Sequence, residues 1–216
     1  MRRDFRVYVI LDYGILGRRD IVSEAERIIA AGPDIVQLRW TQGAAPDMGR
    51  LIEQARKIRI FARSRKALFV INNRADIALL LDADGLHLGQ GDLPISCARK
   101  ILGRDKIIGV STHSYRQALA AQAAGADYIS VGPVFATPTK PDYKPVGLCL
   151  LKRLRNKLRL PFVAIGGIGL NNLDNVLRAG ARRVAVARAA CCAQDPARLV
   201  SAFREKMATT KLCLSI

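Results

Sequence analysis

Between Gly132 and Pro141 the chain reads Gly-Pro-Val-Phe-Ala-Thr-Pro-Thr-Lys-Pro, directly after the apolar run Tyr128 to Val131. Two hydroxyls and an ammonium on a proline-stiffened segment suit the oxygens of a phosphate. A second anion-binding candidate is Gly166-Gly167-Ile168-Gly169, because N–H groups without flanking side chains approach an oxyanion closely. Arg188, just past the apolar run Val184 to Val186, adds a cation. Gln37 and Arg39, Asn72 and Asn73, His87 to Asp92, and Ser111 to His113 bring further hydrogen-bonding groups after other apolar runs. Among them Asp92, with Asn72 and Asn73, offers oxygen ligands to a magnesium ion (Mg2+), which favours one or two carboxylates together with phosphate oxygens and water. A lone loop aspartate otherwise reads as a turn or cap residue, and it is the company of basic, anion-binding segments that favours a metal.

Nucleophilic catalysis finds less support. His87 and His113 are the two histidines, and neither has an Asp/Ser or Cys partner evident in the sequence. His87, inside the run Gly85 to Leu88, reads as a hydrogen-bonded packing group pointing into a barrel. Five cysteines form an odd set without a CxxC spacing, so free thiols and no structural zinc are expected.

These groups need a frame that gathers them. Four passages repeat one pattern, Ala30 to Val36, Leu81 to His87, Ala123 to Ile129 and Arg178 to Val184, each reading as a helix end with a nearby glycine followed by a strand. Apolar and β-branched runs predict strands at Val7–Leu11, Ile35–Leu38, Leu68–Ile71, Gly85–Leu88, Ile107–Val110, Tyr128–Val131, Phe162–Ile165 and Val184–Val186. Helices are predicted after the caps Asp20, Asp47, Ser114, Asn171 and Asp195-Pro196. Alternating β/α units in 216 residues predict an α/β protein, a single-domain (β/α)8 TIM barrel over 1–216 with a mobile tail at 208–216. Every polar segment named above then falls at a strand's C-terminal end, the face on which such barrels carry active sites.

Charge and hydropathy narrow the setting. Lys and Arg number 35 against 18 Asp and Glu, a formal net charge of +17, so nucleic-acid binding has to be weighed. The densest basic stretch, Lys152 to Arg159, belongs to a segment in which Leu148, Leu151, Leu154 and Leu158 recur at helical spacing, and it reads as the solvated face of one helix. No aromatic-interleaved or zinc-finger pattern accompanies it. With no long apolar span and no signal-peptide pattern, the expectation is a soluble cytoplasmic protein without membrane partners; a homo-oligomer stays open.

Taken together, Gln37-Leu38-Arg39, Ile71 to Arg74, Gly85 to Asp92, Gly109 to His113, the Gly132 to Lys140 loop and Ile165 to Ile168 resemble the thiamine phosphate synthase family in order and spacing. The resemblance implies joining of 4-amino-5-hydroxymethyl-2-methylpyrimidine pyrophosphate to a thiazole phosphate by a dissociative, magnesium-assisted substitution. It also implies roles: Gln37, Arg39, Asn72, Ser111 and Lys140 for the pyrophosphate, with Arg39, Ser111 and Lys140 as the catalytic set; Asp92 for the metal; Thr137, Thr139 and Gly167 for the thiazole phosphate. Three positions depart from the family pattern. Thr41 stands in place of a lysine, Asn73 in place of an aspartate, and Arg188 in place of a phosphate-binding serine. Thiazole tautomerases are similar in several motifs, but where they carry a histidine this chain has Pro133, which transfers no proton. A catalytically silent paralogue that binds a phosphorylated thiazole, and a nucleic-acid-binding protein, remain the alternatives.

Overall fold

The computed structural model describes residues 5–40, 43 and 46–213. Eight parallel strands close on themselves in chain order: β1 (Val7–Asp12), β2 (Ile35–Arg39), β3 (Leu68–Asn72), β4 (Gly85–Leu88), β5 (Ile107–Thr112), β6 (Tyr128–Val131), β7 (Phe162–Ile165) and β8 (Val184–Val186). Around them run α1 (Tyr13–Leu16), α2 (Ile21–Ala30), α3 (Met48–Ser64), α4 (Ala75–Leu80), α5 (Ile95–Leu102), α6 (Tyr115–Ala123), α7 (Gly147–Leu154), α8 (Leu173–Arg178), α9 (Arg188–Cys191) and α10 (Pro196–Cys213). The (β/α)8 barrel expected from the sequence is the fold observed.

Four strands end later than the apolar runs that announce them. β1, β2, β3 and β5 extend to Asp12, Arg39, Asn72 and Thr112, which pair in register with Arg39, Asp12, His87 and Val131 of neighbouring strands. A parallel ladder is made by backbone groups, so a polar side chain at its end does not interrupt it. The residues read as loop donors are thus held on the sheet itself.

Strand periodicity sorts side chains into two shells. Val7, Val9, Leu11, Val36, Leu38, Phe69 and Ile71 point outward beneath the helices, in one core with Leu51, Ala55, Ile58 and Ala62 of α3. Tyr8, Ile10, Ile35, Val70, Ile107, Tyr128, Val163 and Ala185 alternate with them and fill the barrel interior. Coverage of both faces is why these strands read as near-continuous apolar runs.

The caps follow the sequence. Asp20, Asp47, Ser114 and Asp195 accept from Ser23, Arg50, Gln117 and Arg198 N–H respectively. Asn171 does not cap α8; the cap position is Asn172, whose side chain turns back to the glycine loop. In the repeat, Gly32, Gly125 and Gly180 take the left-handed conformation that closes a helix, but after α4 Asp82 takes it at φ 48°. Gly85 is instead a strand residue, where a Cβ would meet the Ile107 carbonyl at 2.6 Å. The repeat's aspartates have a further use: Asp34, Asp84 and Asp127 accept from Val7, Phe69 and Ile108 N–H at 2.9, 2.8 and 2.7 Å, fastening the strand starts.

α7 stops at Leu154, with Leu151 and Leu154 buried and Lys152, Arg153, Arg155, Lys157 and Arg159 exposed, as a solvated basic face requires. Residues 208–213 continue α10. Among the described residues no helix is long and apolar enough to cross a membrane.

Candidate active site

Because inward positions recur every second residue, each strand's last inward residue lies at the C-terminal mouth. β2 presents Gln37 and Arg39, β3 Asn72, β4 His87, β5 Ser111 and β6 Ser130. All of them line one cavity of about 340 Å³. Thr137, Thr139 and Lys140 from the loop after β6, Gly167 after β7 and Arg188 at the start of α9 complete its wall. The mouth therefore carries Arg39 and neutral donors on the β2–β5 side and hydroxyl, glycine, lysine and arginine groups on the β6–β8 side.

Arg39 is held by a residue the sequence reading passed over. Asp12, 2% exposed at the end of β1, forms an ion pair with Arg39 and also accepts from Gly14 N–H at 2.9 Å and Ile15 N–H at 3.2 Å. The short helix α1 thus serves to saturate a buried carboxylate that would be costly unpaired. The available signal was an aspartate closing an apolar strand, and it gave no hint of its partner on β2. Lys140 is half-buried, and desolvation together with the Arg39 charge lowers its pKa, partly offset by Asp92. Its ammonium also lies 5.2 Å from the Tyr143 ring centroid.

The two anion-binding loops are stitched together. Val134 and Phe135 N–H donate to the Ile165 and Gly166 carbonyls at 2.8 and 3.0 Å. Gly167 has φ 64°, and a Cβ there would meet Phe135 Cβ at 2.7 Å and the Ala136 carbonyl at 2.8 Å, so both conformation and close approach require glycine. Asn172 pins the same loop, donating to the Gly167 carbonyl and accepting from Gly169 N–H. Thr137 organises its own loop, its hydroxyl accepting from Thr139 N–H at 3.4 Å and its carbonyl from Lys140 N–H at 3.3 Å.

A polar layer runs from the cavity lining into the barrel interior. Gln37 Nε2 donates to the Tyr8 hydroxyl at 2.6 Å, the Tyr8 and Tyr128 hydroxyls are 3.0 Å apart, and Tyr128 reaches His87 Nδ1 at 2.8 Å. His87 Nε2 lies 3.0 Å from Ser111 Oγ. His87 is therefore a hydrogen-bonded interior group, as its strand position implied. Burial pushes its pKa down to about 3 and raises those of Tyr8 and Tyr128. His113 stands on the rim, its Nδ1 2.5 Å from the Gly132 carbonyl and its ring 4.5 Å from that of Tyr143.

Two expected residues stand apart. Asn73 is exposed, with φ 61° and its backbone N–H on the His87 carbonyl, and it does not line the cavity. Asp92 is half-buried and likewise outside the lining, one oxygen accepting from Gly89 N–H at 2.5 Å, but its charge acts on Lys140. Thr41 lies outside the described residues. Among the described residues no three His, Cys, Asp or Glu side chains gather as metal ligands. A lone carboxylate near Lys140 fits magnesium that draws most of its ligands from a diphosphate and water, and not an ion caged by protein.

Residues 7–190 match the thiamine monophosphate synthase family. The chain is 43% identical over 194 residues to the thiamine-phosphate synthase of Halalkalibacterium halodurans, spanning 89% of this chain and 90% of that one. It is 40% identical over 209 residues to that of Chloroflexus aurantiacus, spanning 96% and 95%. A thiamine phosphate pyrophosphorylase from Pyrococcus furiosus superposes with a TM-score of 0.86 at 33% identity, over 96% of this chain and 98% of that structure.

Proposed function

The chain belongs to the thiamine monophosphate synthase family, and we propose that its barrel is a cytoplasmic transferase joining a pyrimidine-methyl diphosphate to a thiazole phosphate, with release of pyrophosphate. The observation that carries this reading is one cavity lined by two sets of anion-binding groups, Arg39, Asn72 and Ser111 from β2–β5 and Thr137, Thr139, Lys140, Gly167 and Arg188 from the β6–β8 side, enough for two phosphorylated substrates.

In the reaction the methylene C–O bond breaks and the pyrophosphate leaves with the bonding pair. The thiazole nitrogen then donates its lone pair to the pyrimidine-methyl cation. Negative charge grows on the leaving group as the bond lengthens, so donors aimed at it stabilise the transition state more than the bound substrate. Arg39, anchored by Asp12, supplies a fixed guanidinium, Lys140 an ammonium, and Asn72 and Ser111 neutral donors. Thr137, Thr139 and the Gly167 loop hold the thiazole phosphate, with Arg188 adding charge from α9. Magnesium, held by Asp92 and the substrate's own oxygens, would neutralise diphosphate charge; Asn73, exposed and away from the lining, offers it no second carboxylate. No residue need take a proton, in keeping with a His87 that stays neutral. Pro133, buried and without an N–H, is a poor fit to proton-transfer chemistry.

The test is formation of thiamine phosphate from the two phosphorylated substrates, with and without magnesium. Magnesium-dependent product is expected. No product, with thiazole phosphate still binding, would identify a member that kept the phosphate site and lost the substitution.

A further inference from the structure

We propose that Tyr8, Tyr128 and His87 form a one-directional hydrogen-bond relay across the barrel interior that fixes Gln37 and turns the Ser111 hydroxyl hydrogen toward the cavity, as a donor to the departing diphosphate. The relay's direction follows from the interior alone; the diphosphate as recipient rests on the reaction proposed above.

The direction comes from counting protons. Tyr8 is 2% and Tyr128 0% exposed, and burial keeps both phenols protonated, so each has one hydrogen to place. Gln37 donates to the Tyr8 oxygen. The hydroxyl partner recorded for Tyr8 is Tyr128, so the Tyr8 hydrogen goes there. Tyr128 must then donate onward to His87 Nδ1, which requires the unprotonated nitrogen at that position. A neutral imidazole carries its one hydrogen on Nε2, 3.0 Å from Ser111 Oγ. Ser130 Oγ lies 3.3 Å from the same Nε2, a longer contact than the 3.0 Å to Ser111, and donates its own hydrogen to Ser111 Oγ at 3.4 Å. With both lone pairs of Ser111 receiving, its own hydrogen is left for the cavity that it lines. With Gln37 presenting Nε2 to Tyr8, the reverse sense strands the Tyr8 hydrogen without an acceptor in a dry interior.

Strand order makes the relay feasible. His87 and Tyr128 are on β4 and β6, with β5 between, and Gly109 pairs in register with both. Any side chain at Gly109 would occupy the space of the Tyr128 ring, so the ring crosses β5 only over a glycine. Ser111, two residues on, is steadied through its carbonyl by Gln90 Nε2 at 2.7 Å. Tyr8 and Tyr128 are thus positioning residues, acting on the anion through Gln37, His87 and Ser111.

The direct measurement is the His87 tautomer, read by long-range proton–nitrogen correlation on protein labelled with nitrogen-15 histidine, with the signal assigned by its loss in His87→Gln. The relay requires an Nε2–H ring that stays neutral from about pH 8 to about pH 5. An Nδ1–H ring, or a charged one in that range, overturns it. The tautomer is read without turnover, so an Nε2–H ring in a protein that makes no product supports the relay while refuting the reaction. In active enzyme, Tyr128→Phe keeps the ring's packing and removes the link to Nδ1. It should lower kcat by about ten-fold with the KM for thiazole phosphate unchanged. In a Ser111→Ala background the same change should have no further effect on kcat, because the oriented donor is already gone. Equal losses in both backgrounds would mean that Tyr128 acts only through packing.

Discussion

Replacing Gly109 with alanine tests the barrel interior most sharply, because local propensity and tertiary packing predict opposite signs. Gly109 sits within β5 without a left-handed φ, so alanine there should gain about 0.5–1 kcal/mol by restricting the unfolded chain. Its Cβ, however, falls on the ring of Tyr128, which is 0% exposed and enclosed by Phe5, Tyr8 and His87. Overpacking a filled interior costs about 1–3 kcal/mol. Displacing the ring also breaks hydrogen bonds to Tyr8 and His87, and stranding buried groups adds about 1–3 kcal/mol. The net expectation is a loss of about 1–5.5 kcal/mol. At about 2–4 °C per kcal/mol for a chain of this size, Tm should fall by about 2–22 °C. Thermal and urea unfolding of four proteins, namely wild type, Gly109→Ala, Tyr128→Ala and the double variant, separate the causes. If the ring is what alanine meets, Gly109→Ala should cost less than about 0.5 kcal/mol once Tyr128 is alanine. A single-variant loss below about 1 kcal/mol, or an equal loss in both backgrounds, would refute the reasoning.

Three further outcomes are expected. Because burial and Arg39 lower the Lys140 pKa, its charge is lost at lower pH than the ordinary lysine value of 10.5, so kcat/KM for the diphosphate substrate should decline early on the alkaline side; Lys140→Arg should remove that decline, and an unchanged pH profile would discount Lys140. Asp92→Ala should raise the magnesium concentration needed for half-maximal activity by about 10–100-fold while leaving Tm near wild type, and unaltered magnesium dependence would refute its role. His87 is buried neutral with a pKa of about 3 against 6.5 when unfolded, so the unfolded chain binds the extra proton. Stability is fully present above pH 6.5 and falls by up to about 1.4 kcal/mol per pH unit as pH drops toward 3, and His87→Gln should flatten that slope in acid-range urea titrations.

Residue types and periodicity were enough to place eight strands within a residue or two, because both faces of a barrel strand are buried and the apolar runs are hard to mistake. Position at or just beyond the strand ends, together with glycine and proline chemistry, marked Gln37, Arg39, Asn72, Ser111, the Gly132 to Lys140 loop and Gly167 as groups on one face. Those are local properties of the chain. Partnership is not local. Asp12 and Arg39 meet because β1 and β2 align their last residues, and Asp12 in the sequence was only a polar end to an apolar run. Asn73 and Asp92 read alike as loop oxygen ligands and neither lines the cavity, yet a left-handed backbone leaves Asn73 exposed, while Asp92 is half-buried and its charge acts on Lys140. Tyr8, an ordinary aromatic of the first strand, finds Tyr128 across 120 residues, and Tyr128 finds His87 over a glycine. The sequence by itself determined where the strands run and which segments after them can bind anions, since both follow from apolar runs and residue type. Only closure of the barrel decided which inward groups touch, since the strand register and the absence of a Cβ at Gly109 set those distances.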